Sequence, residues 1–347
     1  MLPNCACGHN RDCALFGRGF HPAPRAGLDR AVPKGGQEWL EREKTMRVVI
    51  VGAGAMGCFF AARLALSGQE VTLVDVDAPR LALIAREGVQ LTDDDGTRTA
   101  PVQARLAHEV TGPVDLVMLF TKGMHSAAAI ASVAHLDDGA VQVLTLQNGL
   151  GNVEAIAKAF APERILWGVT DLPADLEGPN AVSSHGVGHI RLGGAIPQAH
   201  GYAGAVAAML DQAGLNAEAD AEVRVAVWEK AAFNAALNAL ATITGRTVGG
   251  LDCAEGRRIA SAVVDETIAV AAAQGILMDR ARLFAKIDHA LAHHRTHKPS
   301  MLQDRLAGRT TEIESINGAI VRAAAEAGLA APVTRVLADL VRMGEPR

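Results

Sequence analysis

The stretch Arg47-Val48-Val49-Ile50-Val51-Gly52-Ala53-Gly54-Ala55-Met56-Gly57 decides the fold. Four β-branched residues run into GxGxxG, and an apolar helical segment, Cys58 to Leu66, follows at once. Strand, tight glycine turn and helix N-terminus in that order open a dinucleotide-binding unit. Gly52 permits the turn off the strand, Gly54 lets the backbone approach a pyrophosphate, and Gly57 lets the helix pack closely on the sheet. Ala55 and Met56, within the glycine loop, are expected to meet the dinucleotide, and the N-terminus of the helix that follows faces the phosphates with free N–H groups and a partial positive charge. A second strand, Glu70 to Val74, ends in Asp75, close to the spacing of about 20 residues expected for the acid that meets the ribose.

Outward from this unit the same rhythm continues. Apolar runs at Asp115 to Thr121 and Val141 to Leu146 read as strands buried on both faces, with helices expected at Ala78 to Glu87, His125 to His135 and Val153 to Phe160. Thr92 to Thr99, with Asp95-Gly96 inside it, reads as a hairpin on the edge of the sheet. Val182 to Leu192 reads as another, turning at Gly186 to Gly188. After about Asp220, alanine-rich segments at helical period replace the strands. The fold class is therefore α/β: an N-terminal Rossmann-type, doubly wound sheet over 46–220 and an all-helical domain over 221–347, with the substrate cleft expected at their seam. At 347 residues, two domains and a tail are the natural division.

The tail, 1–45, has no periodicity, and Met46 reads as the functional start, so the stretch is expected to be an unstructured extension or an over-extended start. Its Cys5, Cys7, His9 and Cys13 lack the paired spacing of a zinc site. Five cysteines without a disulfide pattern, and no signal segment, point to the cytoplasm. A net charge of −5 offers no basic field for nucleic acid. The apolar stretches are interrupted before the ~20 residues that a membrane span needs.

Three candidate clusters carry chemistry. Lys230, Asn234 and Asn238 recur every four positions in an otherwise apolar helix, Val223 to about Leu240, and so share one face. Such a stripe either satisfies neighbouring backbone or lines a wet, ligand-filled cleft. Ser300 follows Pro299 in an N-cap position with Asp304 in the first turn, which is ordinary capping. Glu312, on one helix face with Ile316, reads as a surface carboxylate. Lys122 and Asn148 each follow a core strand, at the strand ends that face the ligand crevice of an open α/β sheet. His289, His293 and His297 repeat at a spacing that suits a metal, but Pro299 puts the last in a loop, and no metal is expected. Cys58 reads as a small core side chain.

Together these pieces resemble the ketopantoate reductase (2-dehydropantoate 2-reductase) family over essentially all of Met46 to Glu345. The resemblance rests on GAGAMG, TKG at Thr121, QNGLG at Gln147, WEK at Trp228 with the asparagine stripe, TGRTVGGL at Thr244, SMLQD at Ser300 and TEIESING at Thr311. It implies reduction of 2-dehydropantoate to pantoate in the pantothenate and coenzyme A pathway. Lys230 would protonate the ketone oxygen as hydride arrives from the nicotinamide, with Glu312 as the carboxylate near it. Asn234, Asn238 and Ser300 would hold the substrate, and Asn148 and Lys122 would stand at its junction with the nicotinamide. One departure bears on the cofactor. Where NADPH-using members commonly carry an arginine after the second strand, this chain has Val76, preceded by Asp75, whose carboxylate accepts from ribose hydroxyls and repels a 2′-phosphate. That favours NADH over the family's default NADPH, although Arg80 stands within reach of the same region. It keeps open a paralogous 2-hydroxyacid dehydrogenase acting on another branched or aromatic 2-keto acid. A non-catalytic dinucleotide sensor is disfavoured by Lys230, Ser300 and Glu312. The alanine-rich helices serve either a homodimer face or packing on one another.

Overall fold

The computed structural model describes residues 45–346, so the expectations for the tail lie almost wholly outside the described residues. β1 (Arg47–Val51) shows why these residues make a central strand. Its side chains alternate between two layers: Val48 and Ile50 pack with Phe59, Phe60 and Leu73, whereas Val49 and Val51 pack with Val117, Val143, Ile130 and Phe160. A strand buried on both faces needs an unbroken apolar run, which Val48 to Val51 supplies.

From β1 the chain passes through α1 (Ala55–Leu66) to β2 (Glu70–Val74), then through α2 (Ala78–Glu87), β3 (Val89–Asp93) and β4 (Gly96–Ala100) to β5 (Gln103–Arg105). It continues through β6 (Leu116–Leu119), α3 (Ser126–Ser132), β7 (Gln142–Thr145), α4 (Asn152–Ile156) and β8 (Ile165–Thr170). After the short β9 (Asp175–Leu176) and β10 (Ala181–Ser183) come β11 (Ile190–Gly194), α5 (His200–Gln212) and β12 (Ala217–Ala219). The main sheet has the order β12-β11-β8-β7-β6-β1-β2-β5. Its strands from β5 to β8 are parallel, and β11 runs antiparallel to β8. Strand order reverses between β1 and β6, and a crevice opens beyond the carboxyl ends of strands at such a switch point.

Two sequence expectations are corrected here. Thr92 to Thr99 does form a hairpin, β3 with β4, but it belongs to a separate four-stranded sheet, β4-β3-β10-β9, packed over α1. Val182 to Leu192 is not a hairpin. β10 lies parallel to β3 in the small sheet, while β11 joins β8 in the main one, and the glycines between them carry the chain from one sheet to the other. Alternating apolar residues report which side of a strand is buried and are silent about its partner: Val182 buries its side chain in the layer that also holds Leu91 and α1.

The rest of the described chain is helical: α6 (Val223–Thr244), α7 (Ala254–Ala273), α8 (Arg280–His293), α9 (Ser300–Leu306), α10 (Asn317–Glu326) and α11 (Pro332–Met343), with short 3-10 turns. α6 is the axis of this half. Its Ala232, Ala235, Ala236, Ala239 and Ala241 are fully buried, and their small side chains let several elements approach one helix. α7, α9 and α11 pack on it, and so does β8 of the main sheet. Among the described residues, no helix is long and apolar enough to cross a membrane.

Candidate active site

At the exit of β1, the three glycines have three different surroundings. Gly52 adopts φ 108°, and a Cβ there would fall 2.9 Å from the carbonyl carbon of Phe120. At Gly57 a Cβ would lie 1.8 Å from the carbonyl oxygen of Gly52, so any side chain would push α1 off the strand. At Gly54 a Cβ would meet no atom of the protein within 4 Å. Gly54 is also the N-cap of α1, without a side-chain cap and without an acid in the first turn, so the N–H groups of Ala55, Met56 and Gly57 are left for an external anion. An uncapped helix start behind a glycine that nothing in the fold requires suits a pyrophosphate.

Asp75, at the end of β2, braces this loop. Its Oδ2 accepts from the Ala53 N–H at 2.6 Å, and its Oδ1 accepts from Val76 at 2.7 Å and Asp77 at 3.2 Å. Val76 is 93% exposed. Arg80 turns away from it: Nε donates to the Pro179 carbonyl at 2.6 Å, and a terminal nitrogen lies 3.5 Å from Cys58 Sγ. Cys58 itself is buried, donates to the Ala53 carbonyl, and is pushed up to about 11 by burial.

Across the crevice, β6 and β7 end in Lys122-Gly123 and Gln147-Asn148-Gly149. Gln147 ties the two exits together, donating to the Thr121 carbonyl and, at 2.9 Å, to Ser126 Oγ. Asn152 holds Asn148 by donating to its carbonyl at 3.3 Å. The Gly123 N–H then donates to Glu312 Oε1 at 3.2 Å, and the Asn148 side chain also hydrogen-bonds Glu312. Glu312 is thus neither a surface carboxylate nor helical, as its spacing from Ile316 had suggested. It lies in a turn ahead of α10, where burial raises its pKa against the opposing pull of Gly123, Lys122 and Asn148. Its burial depends on β6 and β7, distant in sequence, which no helical periodicity reveals.

Lys230 rises from α6 to the end of β8, where its Nζ donates to the Thr170 carbonyl at 2.5 Å. Burial pushes its pKa down to about 8, while the charges of Asp171 and Glu312 hold it up. A lysine so placed keeps its proton at neutral pH yet gives it up more readily than one in water. Asn234 and Asn238 follow on the same face of α6, 8% and 5% exposed. Among the described residues, neither amide makes a side-chain hydrogen bond. Within the stripe, Lys230 serves a neighbouring backbone carbonyl, whereas the two asparagine amides do not.

Ser300 stands apart from this group. It is exposed, and it is the first residue of α9, whose N-cap is Pro299; its hydroxyl caps nothing. Asp304 does not cap either: it is buried and paired with Lys122 Nζ at 2.7 Å and with Arg309 Nε at 2.9 Å. Sequence reading missed Thr170 and Asp171 at the end of β8, and it gave Gln147 no role in the site and Asp304 only that of a cap. The first three stand at or just past the ends of parallel strands, as Lys122 and Asn148 do, and that shared position was the available signal. His289 and His293 stack their rings at 4.5 Å on α8, and His297 lies past the end of that helix. Among the described residues, no group of three or more His, Cys, Asp or Glu is arranged to hold a metal ion.

Comparison with known proteins identifies the family. A family profile described as "Ketopantoate reductase PanE/ApbA" matches residues 48–196, and one described as its C-terminal part matches 222–345. A 2-dehydropantoate 2-reductase of Halobacterium salinarum is 33% identical over 307 residues, covering 86% of this chain and 99% of its own length. Among solved structures, D-mandelate dehydrogenase with NADH and anilino(oxo)acetate aligns with a TM-score of 0.82 and 33% identity, over 86% of this chain and 98% of that one. The 2-dehydropantoate 2-reductase of Geobacter metallireducens aligns with a TM-score of 0.79 and 33% identity, over 86% and 99%. Two matching profiles and a relative shared along nearly its whole length establish that the chain belongs to the ketopantoate reductase family of oxidoreductases.

Proposed function

We propose that this enzyme reduces a small 2-keto acid to the 2-hydroxy acid with Lys230 as the general acid, 2-dehydropantoate being the first substrate to test. The observation that carries the reading is the Lys230 ammonium, held at the β8 end with a pKa of about 8 and two carboxylates, Asp171 and Glu312, within electrostatic range. Positive charge beside a ketone oxygen stabilises the alkoxide that forms there and supplies its proton. Asn234 and Asn238, with free amides on the same face, are placed to hold the substrate's polar groups, and Ser300 is the proposed donor to its carboxylate.

Gly52, Gly54, Gly57 and the first-turn amides of α1 fit a dinucleotide, and Asp75 fits its adenosine ribose. The nicotinamide, when bound, supplies the hydride. Asp75 with Val76 favours NADH, since a carboxylate there repels a 2′-phosphate and no cation follows it. The tethering of Arg80 to Pro179 supports the same preference.

The second reading, a paralogue acting on a branched or aromatic 2-keto acid, is favoured by the same Asp75 and by the likeness to the NADH-bound D-mandelate dehydrogenase. Steady-state kinetics with 2-dehydropantoate and a panel of branched and aromatic 2-keto acids, each with NADH and NADPH, tests both. The highest kcat/KM identifies the substrate. No turnover of any 2-keto acid would leave a dinucleotide-binding protein without this chemistry.

A further inference from the structure

Asp304 is a buried carboxylate that the reaction outlined above does not use. It lies on α9 one turn after Ser300, so the two side chains leave the same face of that helix. Its Oδ1 accepts from both Lys122 and Arg309. The Lys122 ammonium also donates to the Thr310 carbonyl at 3.1 Å, and the next residue, Gly123, donates to Glu312. Beside this pair the two segments pack closely. A Cβ at Gly123 would fall 2.1 Å from the Ser315 hydroxyl and one at Gly149 2.1 Å from the Ser315 carbonyl oxygen, and the Leu150 N–H donates to that carbonyl at 2.8 Å. Apart from the Arg309–Asp304 pair, which lies within the segment, these contacts join the exits of β6 and β7 to the segment from α9 to Ser315. Exposed ion pairs contribute little, but without Lys122 the buried Asp304 carboxylate would keep only Arg309, a half-exposed cation, to offset its charge.

We infer that the Lys122–Asp304 pair is a positioning device, which fixes α9 and the Glu312 turn on the strand ends and so sets Ser300 and Glu312 relative to Lys230. In this assignment Asp304 is a positioning residue that acts through Lys122, whichever contacts Lys122 also makes with the ligand. The inference rests on Lys230 as the proton donor. The charged groups around Glu312 are Lys122, Asp304 and Lys230, with neutral donors from Gly123 and Asn148.

The test uses the full chain as Lys122→Met, Asp304→Asn, the double variant and Lys122→Arg. Each neutralising single change should lower kcat/KM by about tenfold or more, because small displacements of positioned groups are costly in rate. The double should lose no more than the worse single, since both remove one interaction. Lys122→Arg, which keeps the charge beside Asp304, should restore the protection from amide exchange that Lys122→Met loses. The acid limb of the pH profile, where Glu312 loses its charge, should move up in Lys122→Met, which removes a cation, and down in Asp304→Asn, which removes an anion. Losses that multiply in the double, or acid limbs that stay fixed or move together, would overturn the assignment. Amide exchange supplies a readout that needs no substrate: Thr121 to Ser126 and Thr310 to Ile316 should exchange faster in both singles. Unchanged exchange there refutes the device even if activity falls. If the unmodified protein turns over no 2-keto acid, the proposed function fails while exchange still decides whether the pair positions these segments.

Discussion

An ammonium is an acid for a ketone only while it holds its proton, and the environment of Lys230 sets that limit. Its pKa of about 8, lowered first by burial, implies that the donor form prevails below pH 8 and is lost as pH rises through that value. The alkaline limb of kcat/KM should therefore fall near pH 8, well below the range of a free lysine. Lys230→Ala should lower kcat by roughly two or more orders of magnitude with dinucleotide affinity nearly unchanged. Lys230→Arg separates charge from acidity. An arginine stabilises the alkoxide but does not release a proton at any working pH, so kcat should still drop and the alkaline limb should vanish. Near-normal turnover in either variant, with the limb still near pH 8, would take the lysine out of the mechanism. The face that carries Lys230, Asn234 and Asn238 was legible in sequence because spacing along one helix is local. The burial of Glu312 and the pairing of Asp304 were not, because both arise from residues that the fold brings in from β6 and β7.

At the scale of elements, the turn from β1 into α1 offers a contrast between neighbouring glycines. Gly57→Ala drives a Cβ into the Gly52 carbonyl, a backbone atom that cannot swing aside. The cost should lie at or above the upper end of the ~1–3 kcal/mol typical of overpacking, and Tm should fall by roughly 5 °C or more. Gly54→Ala meets nothing in the protein, so Tm should stay put while dinucleotide affinity drops. Thermal unfolding and a fluorescence titration with NADH check the pair; equal effects of the two changes on binding would discard the pyrophosphate reading. Cofactor choice is an element-level property too, set where β2 meets α2. Asp75 accepts from the Ala53 N–H as well as facing the ribose site, so removing its side chain outright would loosen the glycine loop. Asp75→Asn with Val76→Arg keeps an acceptor for Ala53, removes the repulsive charge and adds a cation. Binding should then shift by tenfold or more toward NADPH, and an unmodified protein that already prefers NADPH would show that the reading of β2 is wrong. This unit was readable in sequence because strand, turn and helix lie within one short stretch. The partners of β3 and β10 were not, since apolar alternation gives a strand's buried face but not its neighbour.

For the molecule as a whole, the two halves share their contacts so closely that they should not unfold separately. α6 is at once the axis of the helical half and a layer against β8, and Lys230 bonds the strand's last carbonyl. Gly149 and Leu150 lie backbone to backbone on Ser315, Gly123 lies against its side chain, and the Lys122–Asp304 pair closes the same seam. Losing either half would expose a helix that is apolar nearly all round, together with a buried carboxylate that has lost Lys122 and keeps only Arg309. Proteins of this size often show more than one transition, which makes the expectation a demanding one. Calorimetry should give a single transition with calorimetric and van't Hoff enthalpies in a ratio of about one. Dinucleotide contacts, proposed to lie mainly on the glycine loop and Asp75, then stabilise everything at once. NADH at about 100 times its Kd contributes about 2.7 kcal/mol and should move the one transition upward intact. Two peaks, of which NADH shifts only one, would mean that the seam is a weak docking surface and that the site between β8 and α6 is assembled only when ligand brings the halves together.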